Sequence, residues 1–228
     1  DCIESLFAKL DEAKQKAQDA LDSFETRKAA ILHKAFTGEL TAQWRKEHGV
    51  GMESWDRLQW GNFIVSIEAG KNWNAEGRPP RDDEFGVVKV SAVTWGEFNE
   101  AESKTCMVEE QWNENVQIHE GDFLFSRANT LQLVGNCVIV KFISRRLMLS
   151  DKILRLKFDK CVIPEYVLHF TRSDLYRNQI EQLASGNQDG MRNVSQKNMK
   201  LVEFPIPKLE EQKEIVRILD NLLAKEQQ

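Results

Sequence analysis

The sequence predicts an α+β protein in which two long helices flank one globular region that contains a mixed β-sheet. Three observations support this prediction: a heptad pattern at the start of the chain, short β-branched and aromatic segments in the middle, and an amphipathic stretch at the end. The chain has 228 residues, of which 41% are hydrophobic and 29% are charged. These values are typical of a globular protein with enough residues for a hydrophobic core.

The first helix is predicted from an apolar residue at every seventh position, with mostly charged and amide residues between. The column consists of Ile3, Leu10, Ala17, Phe24 and Ile31. This spacing is typical of a coiled-coil seam, and Gly38 is a suitable residue to end the helix. A helix of this length, about 50 Å, cannot bury its apolar stripe against itself. We therefore predict that these five residues form an oligomer interface.

The second helix is predicted after Pro207, where Leu209, Val216 and Leu223 form another apolar column. The two helices could pair as an antiparallel coiled-coil stalk. The second helix is too short to cover the first, so we expect Phe24 to lie beyond its reach. A short echo between SLFAK (5–9) and NLLAK (221–225) suggests one unit of a two-unit protein. We divide the chain into a long helical segment (1–47), a globular region (48–207) and the start of a second helix (208–228).

The middle region is predicted to contain four strands, at 86–95, 121–126, 136–143 and 152–158. In the last of them Leu154 and Leu156 alternate with Arg155 and Lys157, which predicts one buried face and one basic face. The stretch 163–185 has a helical pattern, with Ser173 as a candidate cap of a second segment.

The sequence lacks the common signatures of enzymes and metal sites. Its four cysteines and four histidines are scattered, without zinc-site spacing. Phosphate-binding loops, dinucleotide-binding motifs and nucleophile elbows are absent from the sequence. No apolar run approaches the roughly 20 residues that span a bilayer. We predict a cytoplasmic, non-catalytic protein without a metal site or a cofactor of its own.

Polar loops and local charge favour nucleic acid as a ligand. The net charge is −5, but residues 126–200 hold 13 lysines and arginines against 6 acidic residues, a local excess of +7. Asn and Gln can bind the edge of adenine, Arg can bind guanine, and Lys and Ser can bind phosphates. The alternative for each loop is that its residues cap turns and that Arg127 forms a salt bridge.

Four stretches of the chain resemble the DNA-specificity (S) subunits of type I restriction-modification systems. They are ILHKAFTGELTAQWR (31–45), GDFLFSRANTLQLVGNCVIV (121–140), LSDKILRL (149–156) and SGNQDGMRNVSQKNMKLVEFPIPKLEEQKEIVRIL (185–219). The resemblance implies one target-recognition domain, at 48–207, between a spacer helix and the start of another. It implies a non-catalytic subunit that reads one half of a bipartite site in double-stranded DNA.

The resemblance also implies partners and their cofactors. A methyltransferase (M) subunit would bind S-adenosylmethionine, and a restriction (R) subunit would use ATP and Mg²⁺. Self-association through the helices could restore a two-domain arrangement. The residues expected to contact DNA are polar or basic and lie in or beside the loops: Lys71, Asn72, Ser126, Arg127, Asn129, Thr130, Lys152, Ser185, Asn187, Gln188, Arg192, Asn193, Ser195, Gln196 and Lys197.

Two alternatives from other functional classes remain. The chain could be a coiled-coil adapter whose globular region binds protein rather than DNA. It could also be an autonomous nuclease, which is disfavoured because the sequence has no cluster of metal-binding carboxylates.

Overall fold

The computed structural model describes residues 2–188 and 190–225. The helices are α1 (Cys2–Phe36), α2 (Ala42–His48), α3 (Pro164–Phe170), α4 (Asp174–Leu183), α5 (Gln196–Met199) and α6 (Leu209–Lys225). The strands are β1 (Asp56–Gln59), β2 (Ile64–Ala69), β3 (Ala75–Glu76), β4 (Phe85–Val88), β5 (Ser103–Cys106), β6 (Phe123–Ser126), β7 (Ala128–Asn129), β8 (Cys137–Ile139), β9 (Arg146–Met148), β10 (Ile153–Phe158), β11 (Ser185–Gln188), β12 (Met191–Asn193) and β13 (Glu203–Ile206). The α+β class is confirmed.

The central sheet has the strand order β2-β10-β6-β8 and antiparallel neighbours. Alternate residues of its strands point to opposite faces. On one face, Phe123, Phe125 and Leu154 pack into a core with α1, α3, α4 and α6. On the other face, Leu124 and Ile153 pack into a second core with the sheet of order β3-β5-β4-β9. The central sheet is therefore covered on both sides.

Because both faces are covered, the prediction of a basic outer face on β10 was wrong for Arg155. Its guanidinium is buried and binds Asp122 at 2.9 Å and also Glu68. It donates further hydrogen bonds to the main-chain carbonyls of Gln117 and Asn115. Lys157, two residues later, is exposed as predicted. Arg155 is a structural residue between the central sheet and the neighbouring segments.

The predicted helices agree well with the observed ones. α1 is one continuous helix, and the chain turns away from it through Gly38, whose φ of 85° favours glycine. Ser173 caps α4 by accepting a hydrogen bond from the amide of Tyr176. Two predicted strands are shorter than expected. Of the stretch 86–95, only residues 86–88 belong to a strand, which begins one residue earlier at Phe85. Of the stretch 136–143, only Cys137–Ile139 belong to a strand.

The two long helices meet inside the main core. Leu32 and Phe36 of α1 share this core with Ile215 and Leu219 of α6. Phe24 and Leu223 line the same groove, and the expectation that α6 does not reach Phe24 stays a prediction. The coiled-coil stalk and the three-part division of the chain stay predictions.

A buried polar cluster joins α2, the short helix that follows α1, to the start of α6. Glu211 accepts hydrogen bonds from Thr41 at 2.6 Å, from Arg45 at 2.6 Å and from Trp55 at 2.9 Å. Next to it, the buried side chain of Gln212 donates to two main-chain carbonyls and accepts from the amide of Ile163. Two of the stretches that carry the family resemblance, 31–45 and 185–219, thus bind each other. None of the described helices has the length and apolarity that crossing a membrane would need.

Candidate nucleic-acid interface

The predicted contact segments meet at one edge of the central sheet. Ser126 ends β6 and pairs with Ile153 at the start of β10, so the residues after 126 and before 153 leave the sheet on the same side. The amide of Arg127 donates to the carbonyl of Lys152 at 2.9 Å, and the amide of Val194 donates to the carbonyl of Arg127 at 2.9 Å. Main-chain pairing therefore places Arg127 between the segment that contains Lys152 and the segment that contains Val194.

Two more segments join this edge. The hairpin of β11 and β12 extends the short strand β7, and Arg192 pairs with Asn129 in an antiparallel register. On the other side, Lys71 forms an isolated parallel bridge with Ser150. Residues as far apart in the chain as Lys71 and Arg192 thus belong to one continuous surface region. We call this region, residues 71–72, 126–130, 150–152, 185–188 and 190–197, the polar edge.

Several side chains of the polar edge are available to a ligand. Lys71 and Asn72 are exposed, and Arg127 and Lys152 are half-buried. Among residues 2–188 and 190–225, the Arg127 guanidinium has no hydrogen-bond or ion-pair partner, which removes the salt bridge as its alternative role. An unpaired guanidinium suits a phosphate or the edge of a guanine. Gln196 and Lys197 on α5 are also exposed.

Other predicted contact residues have structural roles. Ser126 is 0% exposed and its hydroxyl donates to the carbonyl of Ala128, so the prediction that Ser126 faces DNA was wrong. It belongs to a strand that is buried on both faces. Asn129 accepts from the amide of Thr130 at 2.8 Å and donates to Thr94, as expected of a turn cap. Ser195 caps α5 by accepting from the amide of Asn198.

The hairpin residues are polar and lie near the surface. Ser185 is exposed and donates to the carbonyl of Asn193, and the half-buried Arg192 donates to the carbonyl of Gly186. Asn193 and Thr130 are half-buried. The main chain of Asn187 and Gln188 lies in β11, but their side chains fall outside the described residues. Their predicted contacts with DNA stay predictions.

The sequence did not point to two lysines, one in β5 and one directly after β4. Lys89 and Lys104 line a surface groove of about 350 Å³ together with Lys71 and Lys152. In the sequence these lysines look like ordinary exposed residues in or next to strands. Only the pairing of β4 with β5 and the Lys71–Ser150 bridge place them beside the polar edge.

Gly70 allows the close approach that forms this groove. A Cβ atom on Gly70 would lie 1.7 Å from the carbonyl oxygen of Leu149, so any other residue would push the two segments apart. The amide of Gly70 also donates to the carbonyl of Ser150. Trp73 holds the loop from the other side by donating to the carbonyl of Leu149 at 3.0 Å.

One buried thiol and the spacing of the described His, Cys, Asp and Glu residues bear on what chemistry the chain can perform. Burial raises the pKa of the Cys137 thiol to about 12, despite opposing hydrogen bonds from neighbouring side chains, so this thiol stays protonated at neutral pH. In the part of the chain that the structure describes, no group of three or more His, Cys, Asp and Glu residues could hold a metal ion.

Comparison with solved structures shows which known structures share this fold. The chain is similar to an HsdS subunit from Thermoanaerobacter tengcongensis, with a TM-score of 0.56, 17% identity, and coverage of 98% of this chain and 49% of that one. It is also similar to a type I restriction-modification S subunit from M. genitalium, with a TM-score of 0.54, 11% identity, and coverage of 95% and 52%. These similarities show a shared fold.

Sequence comparison then shows the family. The model of the type I restriction modification DNA specificity domain matches residues 85–228, and the chain belongs to this family. The chain is 26% identical to the EcoKI specificity subunit of Escherichia coli K12 over 231 aligned positions, which cover 97% of this chain and 47% of that subunit. It is 42% identical to the StySPI specificity subunit of Salmonella potsdam over 69 residues, 30% of this chain and 14% of that subunit. The chain spans about half the length of the specificity subunit that it matches from end to end.

Proposed function

We propose that the chain recognises a specific sequence in double-stranded DNA through the polar edge. The observation that carries this proposal is the meeting of four distant polar segments around an unpaired arginine. Arg127 lies between Lys152 and the β11–β12 hairpin, and main-chain hydrogen bonds hold it there. Lysines beside it suit phosphates, and the arginine and the amides suit base edges. Family membership supports the same ligand.

The finer parts of the proposal follow from the family. The chain reads one half of a bipartite target, acts in the cytoplasm, and performs no catalysis itself. Methyltransferase (M) subunits with bound S-adenosylmethionine modify the DNA, and restriction (R) subunits that use ATP and Mg²⁺ cleave it. The similarity to specificity subunits over nearly the whole chain supports these assignments.

Arg127→Ala tests the role of the polar edge in DNA binding. We expect this variant to lose about 1–3 kcal/mol of affinity for the cognate half-site if the guanidinium meets a base. Affinity for random duplex DNA should change much less. Fluorescence anisotropy with both duplexes over a range of salt concentrations measures these effects. The stability of the fold should not change, because Arg127 has no side-chain partner within the described ranges.

Lys160→Ala is the matched control, because Lys160 is exposed and lies beyond the opposite end of β10 from Lys152. It should bind both duplexes as the wild type does. Equal losses on cognate and random DNA would show that Arg127 binds a phosphate. A wild-type protein that binds no DNA but captures M subunits through its helices would favour the adapter instead.

We also propose that the chain self-associates through the N-terminal part of α1. Leu10 is 49% exposed, and Leu6, Phe7 and Leu21 are exposed as well. Ala17 is exposed, Phe24 and Ile31 are half-buried, and the side chain of Ile3 falls outside the described residues. Exposed apolar stripes of this kind are usually interfaces. The exposed part of the predicted seam therefore lies N-terminal to Phe24.

Leu10→Asp tests self-association. A buried, unpaired carboxylate would oppose the helix contact, so the variant should be monomeric where the wild type is dimeric. Sedimentation velocity measures this difference. Gln15→Asp adds the same charge about 140° around the helix and should leave the dimer intact. A wild type that is still monomeric at about tens of micromolar, a concentration typical of the Kd of a weak dimer, would contradict the proposal.

A further inference from the structure

The lysine groove beside the polar edge has a composition that suits phosphate. We define the lysine groove by Lys71, Lys89, Lys104, Lys152, Ser150 and Asp151, which line it together with a floor of valines. Among the described residues that line it, four are lysines and one, Asp151, is acidic. The excess of positive charge attracts anions, and ammonium groups on flexible stems suit phosphate oxygens.

Three of these ammonium groups have no internal partner. Within the part of the chain that the structure describes, Lys71, Lys104 and Lys152 form no ion pair or side-chain hydrogen bond. Lys89 lies 3.7 Å from Glu102, a long distance for an ion pair. Glu102 accepts a shorter hydrogen bond, of 2.6 Å, from Ser91. The four lysines outnumber Asp151, the one acidic residue among the described residues of the lining, so the groove gains electrostatic stability when an anion enters.

A buried hydroxyl supports this reading independently of the charges. Ser150 is 9% exposed, lines the groove, and its hydroxyl has no hydrogen-bond partner among the described residues. Its main chain is already bound to Gly70, and it pairs with Lys71. A buried hydroxyl without a partner destabilises the fold, because it has lost its hydrogen bonds to water without replacing them. Rotation of the Ser150 side chain toward the groove would let a ligand with acceptor oxygens satisfy this hydroxyl.

We propose that the lysine groove binds consecutive phosphates of one strand of the DNA. The inference rests on the proposed function and divides the interface into two parts. Lys89, Lys104 and Ser150 hold the sugar-phosphate backbone, and the side of the polar edge around Arg127 and the β11–β12 hairpin meets the bases. The volume of about 350 Å³ is at the low end of the range of small-ligand pockets, so phosphates of one strand enter it.

Lys104→Ala and Ser150→Ala test this assignment, with Lys160→Ala as the control. Lys104→Ala should weaken the binding of cognate and random duplexes by the same factor. It should also reduce the slope of log K against log salt concentration by about 0.9. Ser150→Ala should weaken both duplexes several-fold without lowering the melting temperature, because it removes an unpaired buried hydroxyl. If Ser150 has only a structural role, Ser150→Ala should bind both duplexes with the affinity of the wild type.

The outcomes separate this inference from the proposed function. If Arg127→Ala weakens cognate binding while Lys104→Ala and Ser150→Ala bind as the wild type does, the groove assignment is overturned and the proposed function stands. If the wild type binds no DNA, the proposed function fails and the DNA backbone is excluded as the ligand. Inorganic phosphate tests whether the groove binds the phosphate of a small compound instead of DNA. A rise in the melting temperature of the wild type with phosphate, absent in Lys104→Ala, together with no DNA binding would assign the groove to a small phosphate compound.

Discussion

Glu211→Gln is expected to lower the free energy of unfolding by about 3–5 kcal/mol, the cost of removing one partner of a buried ion pair. Glu211 is 1% exposed and accepts hydrogen bonds from three side chains, including the buried guanidinium of Arg45. Glutamine has nearly the same shape but no charge, so Arg45 would keep a buried positive charge without compensation. Denaturant unfolding followed by circular dichroism measures the loss.

Glu210→Gln is the matched control for this prediction. Glu210 precedes Glu211 in the same turn of α6 and is exposed, so its replacement should change stability by less than about 0.5 kcal/mol. Equal effects of the two substitutions would contradict the structural role of Glu211. The result also bears on the family resemblance, because Glu211 and Arg45 lie in two of the stretches that carry it. We expect those stretches to fix the junction of the two long helices rather than to contact DNA.

Arg155→Met is expected to lower the free energy of unfolding by a similar amount, about 3–5 kcal/mol. The substitution leaves the carboxylates of Glu68 and Asp122 without their buried cation. Methionine keeps the apolar length of the side chain, so the loss would report mainly on charge and hydrogen bonds. Thermal and denaturant unfolding both measure it. Lys157→Met is the control, because Lys157 binds the same Glu68 at 2.7 Å from an exposed position, where an ion pair contributes at most about 1 kcal/mol.

The effect of Arg155→Met should depend on pH. Burial raises the pKa of Glu68, but hydrogen bonds from Lys157 and Arg155 lower it by more, so the pKa lies below its ordinary value of 4.5. A lowered carboxyl pKa contributes stability above the ordinary pKa, and this contribution is lost as the pH falls through the lowered value. The difference between wild type and Arg155→Met should therefore narrow in acid. A difference that stays constant down to strongly acidic pH would show that the ion pairs are not its cause.

The sequence by itself determined the elements whose signals are local. The heptad pattern and Gly38 predicted α1, and the column after Pro207 predicted α6. Ser173 predicted the start of α4, because an N-cap is a contact between residues three positions apart. The polar loops were also recognisable, since Gly, Asn, Ser and Arg rarely gather in buried strands. In each case the deciding interaction lies within a few residues of the chain.

Only the tertiary structure decided which faces are buried and which loops are neighbours. Ser126 and Arg155 were misplaced because the second core, built mainly from residues 85–148, covers the face of the central sheet that alternation alone assigns to solvent. Lys89 and Lys104 were missed because their place beside Lys71 and Lys152 depends on strand pairing and on the contact of Gly70 with Leu149. The burial of a side chain and its contacts with a ligand depend on residues far apart in the chain. A local sequence pattern therefore cannot predict them.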